Sequence, residues 1–295
     1  IPIVMSLHDY KIVCTSYLML YKGKTCEACK DGKYYNCFLK GCAANSRVKS
    51  LVNTIEMYLH HSILNIYDSV DVFISPSKFL KNKLEEMGFR KKIVFLPYFV
   101  KAEEISSEYN WIEKSIVYFG RLVDEKGLFT LLDAVKDIKG VMLKIIGEGP
   151  REENIRAKIK LENISNVKLL GYKSGPSLEN EIKKSMFSVL PAEYYDNSPR
   201  AIIESMAIGK PVVGSRIGGI PELIRDNETG LTFEPGNAKD LRAKIEYLMN
   251  NPDKIIEMGK NARIFVEREF NAEKHYNGLM EIYNQAIGIR SQGKL

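Results

Sequence analysis

The sequence predicts an α/β protein built on doubly wound parallel sheets. Short apolar runs, most of them closed by Gly, Pro or Ser, alternate along the chain with segments of helical period. Strands that alternate with helices form parallel sheets with right-handed crossovers. Runs such as SIVYF and VMLKII have no polar alternation, which is typical of strands covered by helices on both faces.

The elements can be placed in chain order. A first strand is expected over residues 1–6, and a helix over the apolar period of residues 55–67. Further strands are expected in the runs DVFIS (from Asp71), KIVFLPYF, SIVYFG, VMLKIIG, NVKLLG, FSVLP and KPVVGS. After Pro252 the chain is expected to be helical over 253–270 and again over 272–287.

A chain of 295 residues is long enough for two domains. The stretch 100–115 is polar, has no clear period and separates two strand–helix series, which is typical of a linker. We therefore expect a partial first domain over 1–110, a complete doubly wound domain over 111–270, and a last helix over 271–295.

Composition and charge exclude several classes of protein. The apolar content of 45% is ordinary for a globular chain, and no run approaches the roughly 20 apolar residues that span a membrane. The chain opens with Ile1-Pro2 and no signal peptide is visible, so a cytoplasmic location is expected. The net charge of +6 is mild, and we expect no nucleic-acid partner.

One segment is more basic than the rest. Between Lys22 and Lys49 there are seven basic residues and two acidic ones. Such a segment favours contact with phosphates or with an anionic membrane surface, here the inner face of the membrane. A solvated loop is the alternative interpretation.

Two loops after predicted strands carry features that suit phosphate. In doubly wound folds the ligand lies beyond the carboxyl ends of the strands. SIVYF is followed by GRLVDEKG, which places Arg121 and Lys126 on a loop that opens a helix, and helix N-termini favour anions such as a diphosphate. VMLKII is followed by GEGP, where Gly147 and Gly149 allow close approach of the backbone to a ligand. The alternatives are surface cations and an ordinary strand–helix turn.

The stretch YYDNSPRAIIESMAIGKPVVGS has an acid in a loop and a second acid inside a helix. Ser198 is a good N-cap and Pro199 a good first residue, which predicts a helix over 199–208. Asp196 then precedes the helix and Glu204 lies within it. Ionised carboxylates accept hydrogen bonds from sugar hydroxyls, and free N–H groups at a helix start suit an adjacent phosphate. The alternative is a capped helix with acids that face solvent.

The order of these motifs, followed by GGIPELI, resembles the C-terminal domain of retaining GT-B glycosyltransferases of family 4. The resemblance implies two Rossmann-like domains that face a cleft, the first one incomplete here, with the last helix crossing back to it. It implies transfer of a sugar from a nucleoside-diphosphate sugar to a sugar or lipid-linked acceptor with retention, in the synthesis of polysaccharide, glycolipid or cell-surface glycan. The alternatives are an epimerase, a phosphorylase, or a non-catalytic module that binds sugar nucleotides.

The resemblance also implies roles for individual residues. Glu204 would hold the ribose, while Arg121 and Lys126 would hold the diphosphate and replace Mg²⁺, so that catalysis needs no cofactor. The family usually has Glu where this chain has Asp196, one methylene shorter. His8, after the first strand in MSLHDY, would contact the donor sugar. The remaining donor-binding residues implied are Gly120, Gly147, Glu148, Gly149, Asn197, Ser198 and Pro199.

The cysteines form a separate pattern, C-x2-C-x7-C-x4-C, made by Cys26, Cys29, Cys37 and Cys42. Four thiols in seventeen residues, in a chain without a secretion signal, favour a metal over disulfides. We predict a structural zinc ion bound by these four, with Cys14 a buried bystander. Free thiols, disulfides and an iron–sulfur cluster are the alternatives.

Overall fold

The structure is a computed structural model, and it describes residues 1–292. It divides into two compact units, one formed by Ile1–Tyr98 with Glu273–Leu295 and the other by Phe99–Ala272. The boundary therefore falls at Tyr98 and not at residue 110. The polar stretch expected to be a linker belongs to the second unit because its backbone is hydrogen-bonded there: Val100 N donates to Phe270 O at 2.9 Å, and Glu108 N donates to Ile208 O at 2.8 Å.

The first unit contains a three-stranded parallel sheet and a short antiparallel hairpin. Its strands are β1 (Val4–Ser6), β2 (Leu20–Tyr21), β3 (Lys24–Thr25), β4 (Val72–Ser75) and β5 (Ile93–Phe95). The sheet has the order β1-β4-β5, while β2 and β3 form the hairpin. The register pairs Val4 with Val72 and Phe73 with Ile93. The hairpin was not predicted, because strands of two residues leave no periodic signal.

Four α-helices within residues 1–292 belong to the first unit, beside shorter 3-10 and π-helical turns. They are α1 (Tyr35–Lys40), α2 (Arg47–Tyr58), α3 (Lys78–Glu86) and the last helix, Ala272–Gln292. The last helix buries Ile282 and Ala286 in one apolar cluster with Val72, Ile74 and Leu96. Its Arg290 also lies 2.8 Å from the carboxylate of Asp71. The last helix therefore packs on the sheet of the first unit.

The helix α2 differs from its prediction in position and in orientation. It ends at Tyr58 and continues into a π-helical turn over Leu59–Ile63, whereas the apolar period predicted a helix over 55–67. The apolar residues of that period are not the buried ones, since Ile55 is 57% exposed and Ile63 is 70% exposed. The apolar period therefore correctly indicated a helix, but it did not indicate which face of that helix packs on the unit.

The second unit is a six-stranded parallel sheet with helices between the strands. Its strands are β6 (Ser115–Phe119), β7 (Met142–Ile146), β8 (Val167–Leu169), β9 (Ser188–Leu190), β10 (Val212–Ser215) and β11 (Gly230–Phe233). The order is β11-β10-β9-β6-β7-β8, and every pair is parallel. The strand order therefore reverses between β6 and β9, which is the switch point at which doubly wound sheets bind ligands.

The helices of the second unit cover the sheet. They are α4 (Leu128–Val135), α5 (Glu152–Leu161), α6 (Gly175–Lys184), α7 (Arg200–Ala207), α8 (Ile220–Leu223), α9 (Ala238–Asn250) and α10 (Pro252–Glu269). Strands β6 and β7 bury Val117, Phe119 and Ile146 in one apolar cluster with Ile182 of α6 and Ile208. In the described part of the chain, residues 1–292, no helix has the length and apolar character needed to cross a bilayer.

The five cysteines of the first unit lie close together as free thiols. Burial, followed by the charges of Cys14, Cys37, Cys42 and Cys26, raises the pKa of Cys29 to about 12. Cys14 is buried, and it lines a cavity of about 10 Å³ with Cys26, Cys29 and Cys42, so its role as a bystander stays a prediction. Among residues 1–292, however, no group of three or more His, Cys, Asp or Glu side chains is arranged so that it could hold a metal ion. The structure does not assemble the predicted zinc ligands.

The zinc prediction therefore stays a prediction, and metal analysis of the purified protein checks it. Binding requires the sulfur atoms to converge further than they do here, to Zn–S distances of about 2.3 Å in a tetrahedron. The expected result is about one zinc per chain, with a chelator loosening residues 23–45 but not the second unit. A metal content near zero in protein prepared without a chelator would show that the five thiols are only packed together.

Candidate functional site

The loops that follow β6 and β7 pack backbone against backbone at the switch point. Gly120 N donates to Ile146 O at 3.0 Å, and Leu122 N donates to Glu148 O at 2.9 Å. Gly147 has φ +141°, and a Cβ there would lie 1.9 Å from Gly120 O. A larger residue at position 147 would therefore push the two loops apart, so the glycine of GEGP is required by this close approach.

Lys126 and Asp196 form a buried ion pair between the loops after β6 and β9. Lys126 Nζ lies 2.5 Å from Asp196 Oδ2, and each side chain is nearly buried. The amine also lies 5.2 Å from the centre of the Tyr194 ring. Burial opposes the charge of Lys126, but the negative charge of Asp196, helped by Tyr194, outweighs it and holds the pKa of Lys126 above its ordinary value.

The loop that carries Asp196 is held by its own backbone. Gly219 N donates to Asp196 O at 2.7 Å. Gly218 has φ +63°, and a Cβ there would lie 2.4 Å from the same carbonyl oxygen. The GGIPELI segment of the sequence therefore has a local function, because its first glycine lets the chain after β10 approach the acidic loop.

The start of α7 differs from the prediction at Ser198. The N-cap position is occupied by Pro199, in extended conformation with φ −68° and ψ 112°, and no side chain caps the helix. Ser198 is 8% exposed, and among the described residues its buried Oγ has no hydrogen-bond partner. The serine was wrongly predicted as the cap because the helix begins one residue later. No side chain therefore caps the first N–H groups of α7 among the described residues.

A cavity of about 590 Å³ opens beside these loops within the second unit. Five predicted residues line it, namely Gly120, Arg121, Gly147, Glu148 and Glu204. The lining also contains Val100, Ile105, Phe119, Ile146, Tyr172, Lys173, Ser174, Gly175, Leu178, Glu179, Ile182, Arg200 and Ile208. Lys126, Gly149 and the loop Asp196–Pro199 are not part of this lining. The cavity thus has an apolar floor, with one predicted cation, Arg121, and two predicted acids, Glu148 and Glu204, at its wall.

Glu204 lies on α7 with its carboxylate towards the cavity. Its side chain is 37% exposed, and its Oε1 lies 3.6 Å from Nε of Arg200, one turn earlier on the same helix. Burial raises the pKa of Glu204, and the nearby Arg200 offsets part of that shift. Arg121 is more open, with a side chain that is 69% exposed and lies 4.0 Å from Glu125.

Sequence analysis missed the residues that come from the loop after β8 and from the first turn of α7. The loop after β8 has the same strand–loop–helix arrangement as the predicted loops and contributes Tyr172, Lys173, Ser174 and Gly175. Their position after the predicted strand NVKLLG could have identified them as site residues. Arg200 could also have been predicted as a neighbour of Glu204, because it lies four residues earlier in the same predicted helix.

His8 belongs to the first unit. It follows β1, and its Nδ1 lies 2.8 Å from the hydroxyl of Tyr98, with the two rings stacked at 5.9 Å between centroids. The contact with Tyr98 fixes the orientation of the imidazole. The role of His8 towards a donor sugar stays a prediction.

The fold and the site define an α/β protein with a crevice at the switch point of a doubly wound sheet, lined by both cationic and acidic side chains. The family model described as glycosyl transferases group 1 matches residues 101–265. That match covers more than half of the chain and includes every predicted residue of the second unit. The chain belongs to the glycosyl transferases group 1.

Curated relatives agree with this assignment. The chain is 32% identical to an uncharacterized glycosyltransferase of Methanocaldococcus jannaschii, over 73% of this chain and 60% of the relative. It is 28% identical to the capsular polysaccharide biosynthesis glycosyltransferase CapM of Staphylococcus aureus, over 83% of this chain and 66% of the relative. The chain thus spans less than two-thirds of the length of these two relatives.

Solved structures confirm the predicted fold class, an α/β glycosyltransferase of GT-B type. HepE of Anabaena, in complex with UDP and glucose, has a TM-score of 0.73 at 16% identity. That match covers 96% of this chain and 71% of the HepE chain. TarM of S. aureus, in a complex that includes UDP, has a TM-score of 0.69 at 24% identity. That match covers 76% of this chain and 46% of the TarM chain. At these identities the likeness supports the fold alone.

The buried ion pair generates a prediction about stability. In Lys126→Met the carboxylate of Asp196 keeps its burial and loses its partner, which should lower the free energy of unfolding by about 3–5 kcal/mol. The double variant Lys126→Met/Asp196→Asn removes both charges and should recover most of that loss. Chemical denaturation of the wild type and of the two variants measures both differences. Equal stabilities of the single variant and the wild type would show that the pair does not support the fold.

Proposed function

We propose that the protein containing this chain is a retaining glycosyltransferase that moves a sugar from a nucleoside-diphosphate sugar to an acceptor hydroxyl. The observation that carries the proposal is the cavity of about 590 Å³ at the switch point, whose wall includes both Arg121 and Glu204. A cation and an acid beside an apolar floor match the three parts of a nucleotide, which are phosphate, ribose and base.

In this proposal Glu204 accepts hydrogen bonds from the ribose hydroxyls. A carboxylate has only acceptor sites, so it suits a diol better than an amide or a hydroxyl would. The base occupies the apolar part of the cavity, near Leu178, Ile182 and the ring of Tyr172. Arg200 pairs with Glu204 and keeps its carboxylate directed along the helix.

The diphosphate is the leaving group, and its charge develops as the bond to the sugar breaks. Arg121, Lys126 and the N–H groups at the start of α7 stabilise that charge without a metal ion. Retention then follows from attack on the same face of the sugar. The acceptor oxygen forms a bond to the anomeric carbon, the bond from that carbon to phosphate oxygen breaks, and the acceptor proton passes to the departing phosphate.

The names of the relatives support a role in cell-surface glycans. Besides CapM, the matches include the amylovoran biosynthesis glycosyltransferase AmsK of Erwinia amylovora, 31% identical over 57% of this chain and 44% of the relative. CapM is named for the biosynthesis of capsular polysaccharide and AmsK for the biosynthesis of amylovoran. We propose the same class of product here, with a sugar or lipid-linked acceptor.

The Glu204→Gln variant tests the ribose contact. Removing one charge-assisted hydrogen bond should weaken binding of UDP-glucose by roughly 1.5–3 kcal/mol, or roughly 10- to 150-fold in Kd. The raised pKa of Glu204 adds a pH signature, because the carboxyl gains its proton at a higher pH than an ordinary glutamate. Binding by the wild type should therefore weaken as the pH falls from neutral, and this dependence should be absent in Glu204→Gln. Isothermal titration calorimetry over this pH range measures both effects.

The control for this experiment is Glu153→Gln, which removes the charge of an exposed glutamate in the first turn of α5. Its affinity and pH dependence should equal those of the wild type. Equal affinities of Glu204→Gln and the wild type at neutral pH would exclude the ribose contact.

Arg121→Ala tests the stabilisation of the leaving group. The side chain is mostly exposed, so its loss should change the free energy of unfolding by no more than about 0.5 kcal/mol. Turnover should fall by about 100-fold or more, because the group acts on charge that develops in the transition state. Assays with the whole protein should separate glycosylated acceptor from free sugar. An Arg121→Ala variant with unchanged turnover would remove this residue from the mechanism.

A further inference from the structure

The apolar part of the cavity is bordered by a carboxylate that the proposed nucleotide contacts leave unused. Glu179 lies on α6 and lines the cavity together with Leu178 and Ile182 of the same helix. Leu178 precedes it directly and Ile182 follows three residues later, so Glu179 borders the apolar floor. Glu204, which would hold the ribose, comes from a different helix, α7. A base that packs on Leu178 and Ile182 would therefore have Glu179 as its polar neighbour on α6.

The oxygens of Glu179 can accept further hydrogen bonds. The side chain is 38% exposed, and its Oε2 lies 3.6 Å from Nζ of Lys183, which is too long for a hydrogen bond. Lys183 itself donates to Ser106 Oγ at 2.8 Å. An ionised carboxylate accepts hydrogen bonds and donates none. Glu179 therefore offers two acceptor atoms to a ligand in this part of the cavity.

A donor lies on the loop before α6. Lys173 lines the same cavity, and its Nζ lies 3.7 Å from Glu181 Oε1, again beyond hydrogen-bond range. Glu181 lies closer to Lys144, at 3.0 Å. An ammonium group donates hydrogen bonds and accepts none. This part of the cavity thus combines an acidic acceptor from α6 with a cationic donor from the preceding loop.

The common bases differ in the donors and acceptors along their pairing edges. Guanine has an amino group and a ring N–H side by side, followed by a carbonyl, which gives two donors and one acceptor. Uracil and thymine have one ring N–H between two carbonyls, so a carboxylate that accepts from it lies next to an oxygen that repels it. Adenine and cytosine have one amino group beside a ring nitrogen that accepts. A carboxylate with a nearby cation therefore matches guanine better than the other bases.

We propose that the base bound in this cavity is guanine and that the donor is a guanosine-diphosphate sugar. Glu179 accepts hydrogen bonds from the ring N–H and the amino group, and Lys173 donates to the carbonyl oxygen. The proposal rests on the proposed function, because it assigns the base of the nucleotide whose ribose Glu204 would hold. It adds two residues, Glu179 and Lys173, that select the donor by its base.

Isothermal titration calorimetry of the whole protein with GDP, inosine diphosphate and UDP tests the proposal. The wild type should bind GDP at least about tenfold more tightly than UDP, because a mismatched base leaves charged groups without partners. Inosine diphosphate lacks only the amino group of guanine, and it should bind more weakly than GDP. In Glu179→Gln the side chain keeps its size but exchanges one acceptor for a donor. The ratio of the UDP to the GDP dissociation constant should therefore fall towards one.

Glu153→Gln is the matched control, because it makes the same change at an exposed glutamate of α5. Its ratio of dissociation constants should equal that of the wild type, and thermal unfolding should show that both variants are folded. Three results would each overturn the assignment of guanine. They are a wild type that binds UDP as tightly as GDP, a wild type that binds inosine diphosphate as tightly as GDP, and a preference for GDP that Glu179→Gln leaves unchanged.

These results differ from those that would contradict the proposed function. The ribose is common to GDP and UDP, so Glu204→Gln should weaken the binding of both nucleotides. A protein that prefers UDP, and that binds both nucleotides more weakly after Glu204→Gln, would keep the proposed function and overturn only the assignment of guanine. A protein that binds neither nucleotide would overturn both.

Discussion

The loops after β6 and β9 are joined by a buried ion pair, and the candidate site takes its shape from that junction. Lys126 of the first loop lies 2.5 Å from Asp196 of the second. The same two loops share a backbone hydrogen bond from Glu193 N to Glu125 O at 2.9 Å. In a doubly wound sheet the connections after these two neighbouring strands run to opposite sides and leave a crevice. The ion pair joins the two loops at that crevice, and the cavity is lined by Gly120 and Arg121 of the first loop.

Helix α7, which carries Glu204, is anchored along its length. Arg263 is buried, and its guanidinium donates to Ala102 O at 2.6 Å, to Ile105 O at 2.9 Å and to Ala207 O. A cation at the last carbonyls of a helix satisfies their acceptors and complements the helix dipole. Near the middle of the helix, Ser205 Oγ lies 2.7 Å from Ser188 Oγ of β9. Glu204 is adjacent to that contact, so the position of its carboxylate follows from the sheet.

Much of the second unit could be predicted because its strands are buried on both faces and leave uninterrupted apolar runs. Strand β11 was missed, since GLTF contains a glycine and a threonine and follows a polar turn. The loops that form the site were predicted from their place after strands. The contacts between these loops could not be predicted, because the Lys126–Asp196 pair joins residues that are 70 positions apart in the sequence. The face of α2 that packs could not be predicted either, since a helical period gives the direction of the apolar face but not the side that is covered.

The ion pair also affects how the proposed diphosphate would be attracted to the site. Lys126 is already neutralised by Asp196, so the pair as a whole presents little net charge to an incoming diphosphate. In the proposed function the attraction comes mainly from Arg121, whose contact with Glu125 is long at 4.0 Å, and from the N–H groups at the start of α7, while Lys173 and Arg200 also line the cavity. In the proposed function Arg121 is therefore the main cation that meets the leaving phosphate, and Lys126, held in place by Asp196, contributes less.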